Sequence, residues 1–134
     1  ERHRDRLAGM LTRYGEHPAR YSMIHADLHD RNLLVDGERI IAIDFDDAGF
    51  GWHLYDLAVI LFSYLERPDF AALRDALLRG YTSRRDLPQQ DLDLLPAFLL
   101  VRSLAIIGWL TARPEHGNRD YLAALAERVC AVQL

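Results

Sequence analysis

The sequence predicts an α+β fold, predominantly α-helical, with one β-hairpin beside a chemically dense loop. Three observations carry that expectation. Apolar residues recur at helical spacing through most of the chain. Two β-prone runs, Asn32-Leu33-Leu34-Val35 and Arg39-Ile40-Ile41-Ala42-Ile43, are joined through Asp36-Gly37, a strong hairpin signal. The segment from His25 to Asp47 holds Asp27, Asp30, Asp36, Glu38, Asp44, Asp46 and Asp47 against only Arg31 and Arg39.

The elements follow in order. Near the N-terminus Leu7, Met10, Leu11 and Tyr14 stand at i, i+3, i+4, i+7, which predicts an amphipathic helix over residues 2–15. Gly15 and Pro18 end it. Tyr21 to His25 is a short apolar approach to the loop, the hairpin follows, and Gly49 and Gly51 break the chain. From Leu54 onward everything reads helical. Leu54 to Leu65 is apolar on nearly all sides, as a buried helix is. Pro68-Asp69 opens the next helix, to about Tyr81, with Phe70, Leu73 and Leu77 on one face. Pro88 to Thr111 predicts a long apolar helix starting near Asp91, with Pro96 near its first turn. Asn118 can cap a final helix whose Tyr121, Leu122, Leu125 and Val129 face inward.

Composition bounds the rest. The chain has 134 residues, enough for one domain spanning 1–134 with a real core. Its net charge is −4 with no basic block, so a nucleic-acid partner is not expected. Cys130 is the single cysteine, which excludes an internal disulfide and predicts a small apolar residue packed in the last helix. No uninterrupted apolar run approaches a bilayer's thickness, so no membrane span is expected. Glu1-Arg2-His3-Arg4 carries neither Met nor a signal-peptide core and reads as the inside of a longer polypeptide.

The dense loop is His25-Ala26-Asp27-Leu28-His29-Asp30-Arg31-Asn32, with Asp44-Phe45-Asp46 following after the hairpin. Seven acids against two bases crowd this segment, and crowded carboxylates repel unless a cation neutralises them. Asp27 is a candidate base for a hydroxyl proton. Asn32 offers an uncharged oxygen, and Asp44 ends the second hairpin strand, so the hairpin returns it toward Asn32. Mg²⁺ takes hard oxygen ligands and keeps waters and phosphates, so two protein ligands suffice. The order H-x-D-L-x-x-x-N then D-F-x is the catalytic-loop and metal-loop signature of kinases. His25 precedes the loop and is expected to pack and hold its backbone. Taken singly, Asp27 also suits a helix cap, Asn32 a turn and Asp44 a strand end.

The run His25–Asn32, Ile43-Asp44-Phe45-Asp46-Asp47, Gly51 and Tyr55-Asp56-Leu57-Ala58 resembles the aminoglycoside phosphotransferase and choline kinase family. The resemblance covers residues from about 20 to 112. It implies the C-terminal lobe of a protein-kinase-like fold, with ATP as co-substrate and Mg²⁺ as cofactor. It implies phosphoryl transfer to the hydroxyl of a small molecule, and hence a cytoplasmic setting. In it Asp27 is the catalytic base, Asn32 and Asp44 bind Mg²⁺, and Asp56 supports the catalytic loop with His25. His29, Asp46, Asp47 and Trp52 are candidates for substrate contact or for a shell behind the metal, and the acidic ones suit an amino-bearing acceptor. Departures from the protein-kinase pattern point the same way: His29 stands where those enzymes carry Lys, and Asp46 replaces the Gly of D-F-G.

All sixteen cationic residues are Arg, and the chain has no Lys. A kinase-like enzyme holds nucleotide phosphates with a Lys and a Gly-rich loop on an N-terminal lobe. That lobe is therefore expected to be missing here, leaving an isolated chain that is inactive and prone to self-associate through the face near Tyr21–Ile24 and the hairpin. Two other readings compete. In a metal-dependent hydrolase, His25, Asp27, His29 and Asp30 would bind metal with Asp44, Asp46, Asp47 and His53. A non-catalytic binding lobe is the other. The kinase reading accounts for Asn32, Asp44-Phe45 and Asp56 together; the hydrolase reading leaves them unexplained.

Overall fold

The computed structural model describes residues 2–116 and 119–132. They fall into two compact units, residues 16–95 and residues 1–15 with 96–134.

The first of these units carries all four strands. β1 (Tyr21–Ile24) pairs antiparallel with β4 (Gly49–Trp52), and β2 (Leu33–Asp36) with β3 (Arg39–Ala42). The second pair is the predicted hairpin. Its two-residue loop is Gly37-Glu38, and Gly37 adopts φ +59 at the first loop position, where a primed turn needs Gly. The β1–β4 pair corrects the expectation that Tyr21–His25 is a mere approach and that Gly49 and Gly51 break the chain. A two-glycine strand has little strand propensity, yet pairing puts Gly51 opposite Ser22. There a Cβ would collide with the Ile24 side chain, its Cγ1 only 3.0 Å away. Glycine here is a packing requirement rather than a breaker.

β4 runs straight into α2 (His53–Phe62), which buries His53, Leu54, Leu57, Ala58, Val59 and Leu61. Each fully buried Leu contributes roughly 2 kcal/mol of transfer free energy, which makes α2 the spine of this unit. α3 (Phe70–Thr82) turns Phe70, Leu73 and Leu77 half-inward as predicted. Asp69 does not cap it with its side chain. Its carboxylate instead takes two bonds from the Arg67 guanidinium, at 2.8 and 2.9 Å, which hold it below the usual carboxylate range.

The predicted helix over 88–111 is interrupted. α4 (Gln89–Leu92) ends at Asp93, and α5 (Leu95–Ala112) begins one residue before Pro96. Proline has no N–H to continue the ladder, so it sits in the first turn of a new helix. By length and composition, residues 89–112 would suffice to cross a bilayer. In the second unit, however, Ala97 and Leu100 form a buried cluster with Leu7 of α1 (Arg2–Tyr14) and Val129 of α6 (Arg119–Ala131). Phe98 meets Tyr14 edge-on at 6.0 Å. These are core contacts, which is how the apolar faces are satisfied. α1 ends at Gly15, φ +70, as expected. In α6, Leu125 and Val129 are buried, but Tyr121 and Cys130 are exposed, against expectation. Asn118, the expected cap, lies outside the described residues.

Candidate active site

The loop between β1 and β2 is tied from three directions. From α2, Asp56 accepts the His25 N–H at 2.9 Å on Oδ2 and the Ala26 N–H at 2.8 Å on Oδ1. A carboxylate taking two backbone donors makes strong, charge-assisted bonds. Those bonds fix Ala26 at φ 66, the left-handed region that a non-glycine residue enters at a cost of about 1 kcal/mol. Asp56 thus touches the loop as predicted.

From within the loop, buried His25 uses both ring nitrogens. Its Nδ1 accepts the Asp27 N–H at 3.4 Å, which leaves Nε2 to donate to the Ile43 carbonyl at 2.9 Å. From the hairpin, the Ile43 N–H donates to the Asn32 carbonyl at 3.0 Å. Ile43 is therefore pinned to the loop through both backbone groups, and the next residue is Asp44, at φ 62. Phe45 lies over the His25 ring, centroids 4.6 Å apart. Two non-glycine residues in the left-handed region, one on each side of this seam, are strain held by surrounding bonds, which clusters at functional sites.

Buried Asn32 turns its Nδ2 to the Asp27 carbonyl at 3.0 Å and to Asp27 Oδ2 at 3.4 Å. The amide nitrogen is thereby committed to the loop, and the amide oxygen is the end left for a cation. Amide and carboxylate oxygens, the groups that Asn32 and Asp44 carry, are of the hard kind that Mg²⁺ or Ca²⁺ takes. His29 Nε2 stands 3.3 Å from Asp27 Oδ2, while its Nδ1 accepts the Arg31 N–H at 3.2 Å. With Asp30, Arg31 and Ser63, His29 lines a polar recess of about 300 Å³.

The other candidates stand apart from this web. Asp46 and Asp47 form the exposed turn after Phe45, closed by the Ala48 N–H donating to the Phe45 carbonyl at 3.0 Å. Trp52 packs edge-on to Tyr21 at 5.3 Å in the β1–β4 pair. His53, placed in the hydrolase reading's metal set, contacts Ser22 Oγ at 2.7 Å through Nε2. Burial, with help from the Arg85 charge, holds the His53 pKa below its ordinary value. His25 has both nitrogens in loop bonds, so it has no lone pair for a metal. Among the described residues no group of three His, Cys, Asp or Glu is arranged to hold an ion. The hydrolase set does not assemble.

Sequence reasoning did not find a second cleft of about 420 Å³ walled by Met23, Leu28, Asp56, Leu77, Tyr81 and Arg85. Burial raises the Tyr81 pKa there. Its residues come from β1, the loop, α2 and the α3 end, so no single stretch of sequence signals it.

These features meet known proteins at a definite point. Residues 1–93 match the phosphotransferase enzyme family, and the chain belongs to that family. Its fold is that of the C-terminal lobe of the kinase-like members. The microcompartment-associated aminopropanol kinase superposes with a TM-score of 0.79 at 35% identity, covering 96% of this chain and 40% of that one. An amicoumacin kinase, solved in complex with AMP-PNP, Ca²⁺ and Ami, gives 0.79 at 29% identity, with 96% and 42% covered. The amicoumacin kinase of Bacillus subtilis is 33% identical over 115 residues, 79% of this chain. The chain spans only 34% of that relative's length.

Proposed function

We propose that this chain is the catalytic and metal-binding lobe of an ATP-dependent kinase that phosphorylates the hydroxyl of a small, amino-bearing molecule. The observation that carries the reading is the double pinning of Ile43, whose N–H and C=O bond Asn32 and His25. Asp44 lies two residues past the end of β3 rather than ending it, and the pinning of Ile43 ties that segment to the loop that bears Asp27 and Asn32. Asp27 accepts the proton of the acceptor hydroxyl as that oxygen bonds the γ-phosphorus of ATP, whose bond to the β–γ bridging oxygen breaks to release ADP. The Asn32 oxygen and the Asp44 carboxylate would hold Mg²⁺, which when bound would neutralise charge on the phosphate oxygens. His25 and Asp56 fix the backbone around Asp27. Aminopropanol, the amino alcohol for which the first of these kinases is named, supports an amino-bearing acceptor. The acidic loop offers carboxylates to such a cation. AMP-PNP and Ca²⁺ in the amicoumacin kinase complex support a nucleotide and a divalent ion. A need for ATP and Mg²⁺ puts the reaction in the cytoplasm.

Positioning the β- and γ-phosphates calls for a second lobe with a Lys and a Gly-rich loop. Two exposed apolar cross-strand pairs in this unit are candidates to meet it: Val35 (74% exposed) with Ile40 (70%), and Met23 (62%) with Phe50 (73%). Exposed apolar side chains of this kind are candidates for interaction faces, and in the isolated chain they favour self-association. The test is kinetic. In a phosphotransfer-competent polypeptide carrying this sequence, Asp27→Asn is expected to lower turnover by at least about a hundredfold with ATP binding retained. Turnover at the wild-type rate removes Asp27 from the base role.

A further inference from the structure

We infer that His29 is a positioning residue for Asp27, holding the reactive carboxylate through Nε2. The inference rests on Asp27 acting as the base, as proposed above. Its two ring nitrogens have separate tasks. The Arg31 N–H donates to Nδ1 at 3.2 Å, where His29 caps the 3-10 turn Asp30–Asn32. In the neutral ring that bond obliges Nε2 to carry the hydrogen. Nε2 lies 3.3 Å from Asp27 Oδ2, so a donor faces the carboxylate. Asn32 Nδ2 approaches the same oxygen at 3.4 Å. Two donors converging on Oδ2 set the rotation of the carboxylate, and with it the direction from which Oδ1 meets a hydroxyl.

A protein-kinase Lys at this place would bring a fixed charge and no acceptor. Histidine brings both a cap acceptor for the loop and a donor for the base, from one rigid ring. The capping bond makes the ring's tautomer and position a property of the backbone, so the carboxylate is held before any substrate arrives. Displacing a catalytic group by about 1 Å is enough to cost on the order of a hundredfold in rate.

The two nitrogens can be separated by substitution. Asn at position 29 places its oxygen near Nδ1, keeps the Arg31 cap and loses the donor to Asp27. Gln places its amide nitrogen near Nε2, restores that donor and loses the cap. Kinetics of wild type, His29→Asn, His29→Gln and Asp27→Asn, in the phosphotransfer-competent polypeptide, then decide the matter. His29→Asn is expected to lower kcat roughly 10–100-fold, as loss of a supporting hydrogen bond does, with the KM for ATP unchanged. His29→Gln is expected to recover most of that loss despite a lower melting temperature. His29→Asn at wild-type kcat, or His29→Gln no faster than His29→Asn, overturns the inference, provided Asp27→Asn is dead. If Asp27→Asn turns over at the wild-type rate, the proposed function itself fails. Independently of folding in the variants, ¹⁵N NMR of the wild-type chain at neutral pH should show His29 with its proton on Nε2. A proton on Nδ1 overturns the inference outright.

Discussion

Removing the Asp56 carboxylate gives the sharpest structural test. Asp56 accepts two backbone N–H groups, at 2.9 and 2.8 Å, from consecutive residues of the loop between β1 and β2. Hydrogen bonds to a charged acceptor are worth about 1.5–3 kcal/mol each, and partial exposure of Asp56 argues for the lower end, about 3 kcal/mol for the pair. Against this, Ala26 at φ 66 could relax once released, returning about 1 kcal/mol. Asp56→Ala is therefore expected to destabilise the chain by about 2 kcal/mol. Urea unfolding of both proteins measures it, with the slope of free energy against denaturant unchanged. Asp56→Asn retains one acceptor oxygen and should cost about half as much. A loss below about 0.5 kcal/mol for Asp56→Ala would show that the loop keeps its shape without α2 and that the clamp argument is wrong.

Four further outcomes follow from the same structure. His53 has a folded pKa below 6.5, so between that ordinary value and its lowered one the unfolded chain binds a proton that the native chain does not. Stability from this residue is complete above about pH 6.5 and falls as the solution is acidified; His53→Asn should flatten that part of the pH–stability curve. Gly37→Ala should cost about 1 kcal/mol, because a Cβ at φ +59 is strained even though the space around it is open; equal melting points would contradict this. Val35→Lys with Ile40→Lys should shift the isolated chain toward monomer in analytical ultracentrifugation, since both side chains are exposed on the hairpin. The 134-residue chain alone should fold and show no ATP-dependent phosphotransfer; robust turnover would mean the second lobe is dispensable.

Much of this was legible because periodicity and turn chemistry are local. The hairpin announced itself through Asp36-Gly37, and α2 through an apolar run that is buried nearly all round. The β1–β4 pair was not legible, since its partners lie 25 to 31 residues apart and two of the four residues in β4 are glycines. Pairing across that distance is decided by packing, here Ile24 against Gly51, rather than by propensity. Residue types and spacing made Asp27, Asn32, Asp44 and His25 candidates, and the family resemblance added Asp56. No local signal gave the left-handed backbone at Ala26 and Asp44, nor the capture of Ile43 from both sides, because these arise only when loop, hairpin and helix meet. The buried Asp91, 3.6 Å from Arg20, belongs to the same class: each looks like an ordinary surface charge until the fold brings them together.

Metal binding tests the central claim most directly, because it asks whether the Asn32 amide oxygen and the Asp44 carboxylate act as one site. Mn²⁺ titrated into ¹⁵N-labelled chain broadens amides near the bound ion, and Mg²⁺ should compete for the same place. The account predicts broadening centred on residues 27–32 and 43–46, abolished by Asp44→Ala and weakened by Asn32→Ala. Broadening centred instead on Asp46, Asp47 or the surface acids of α3, or unchanged in both variants, would contradict it.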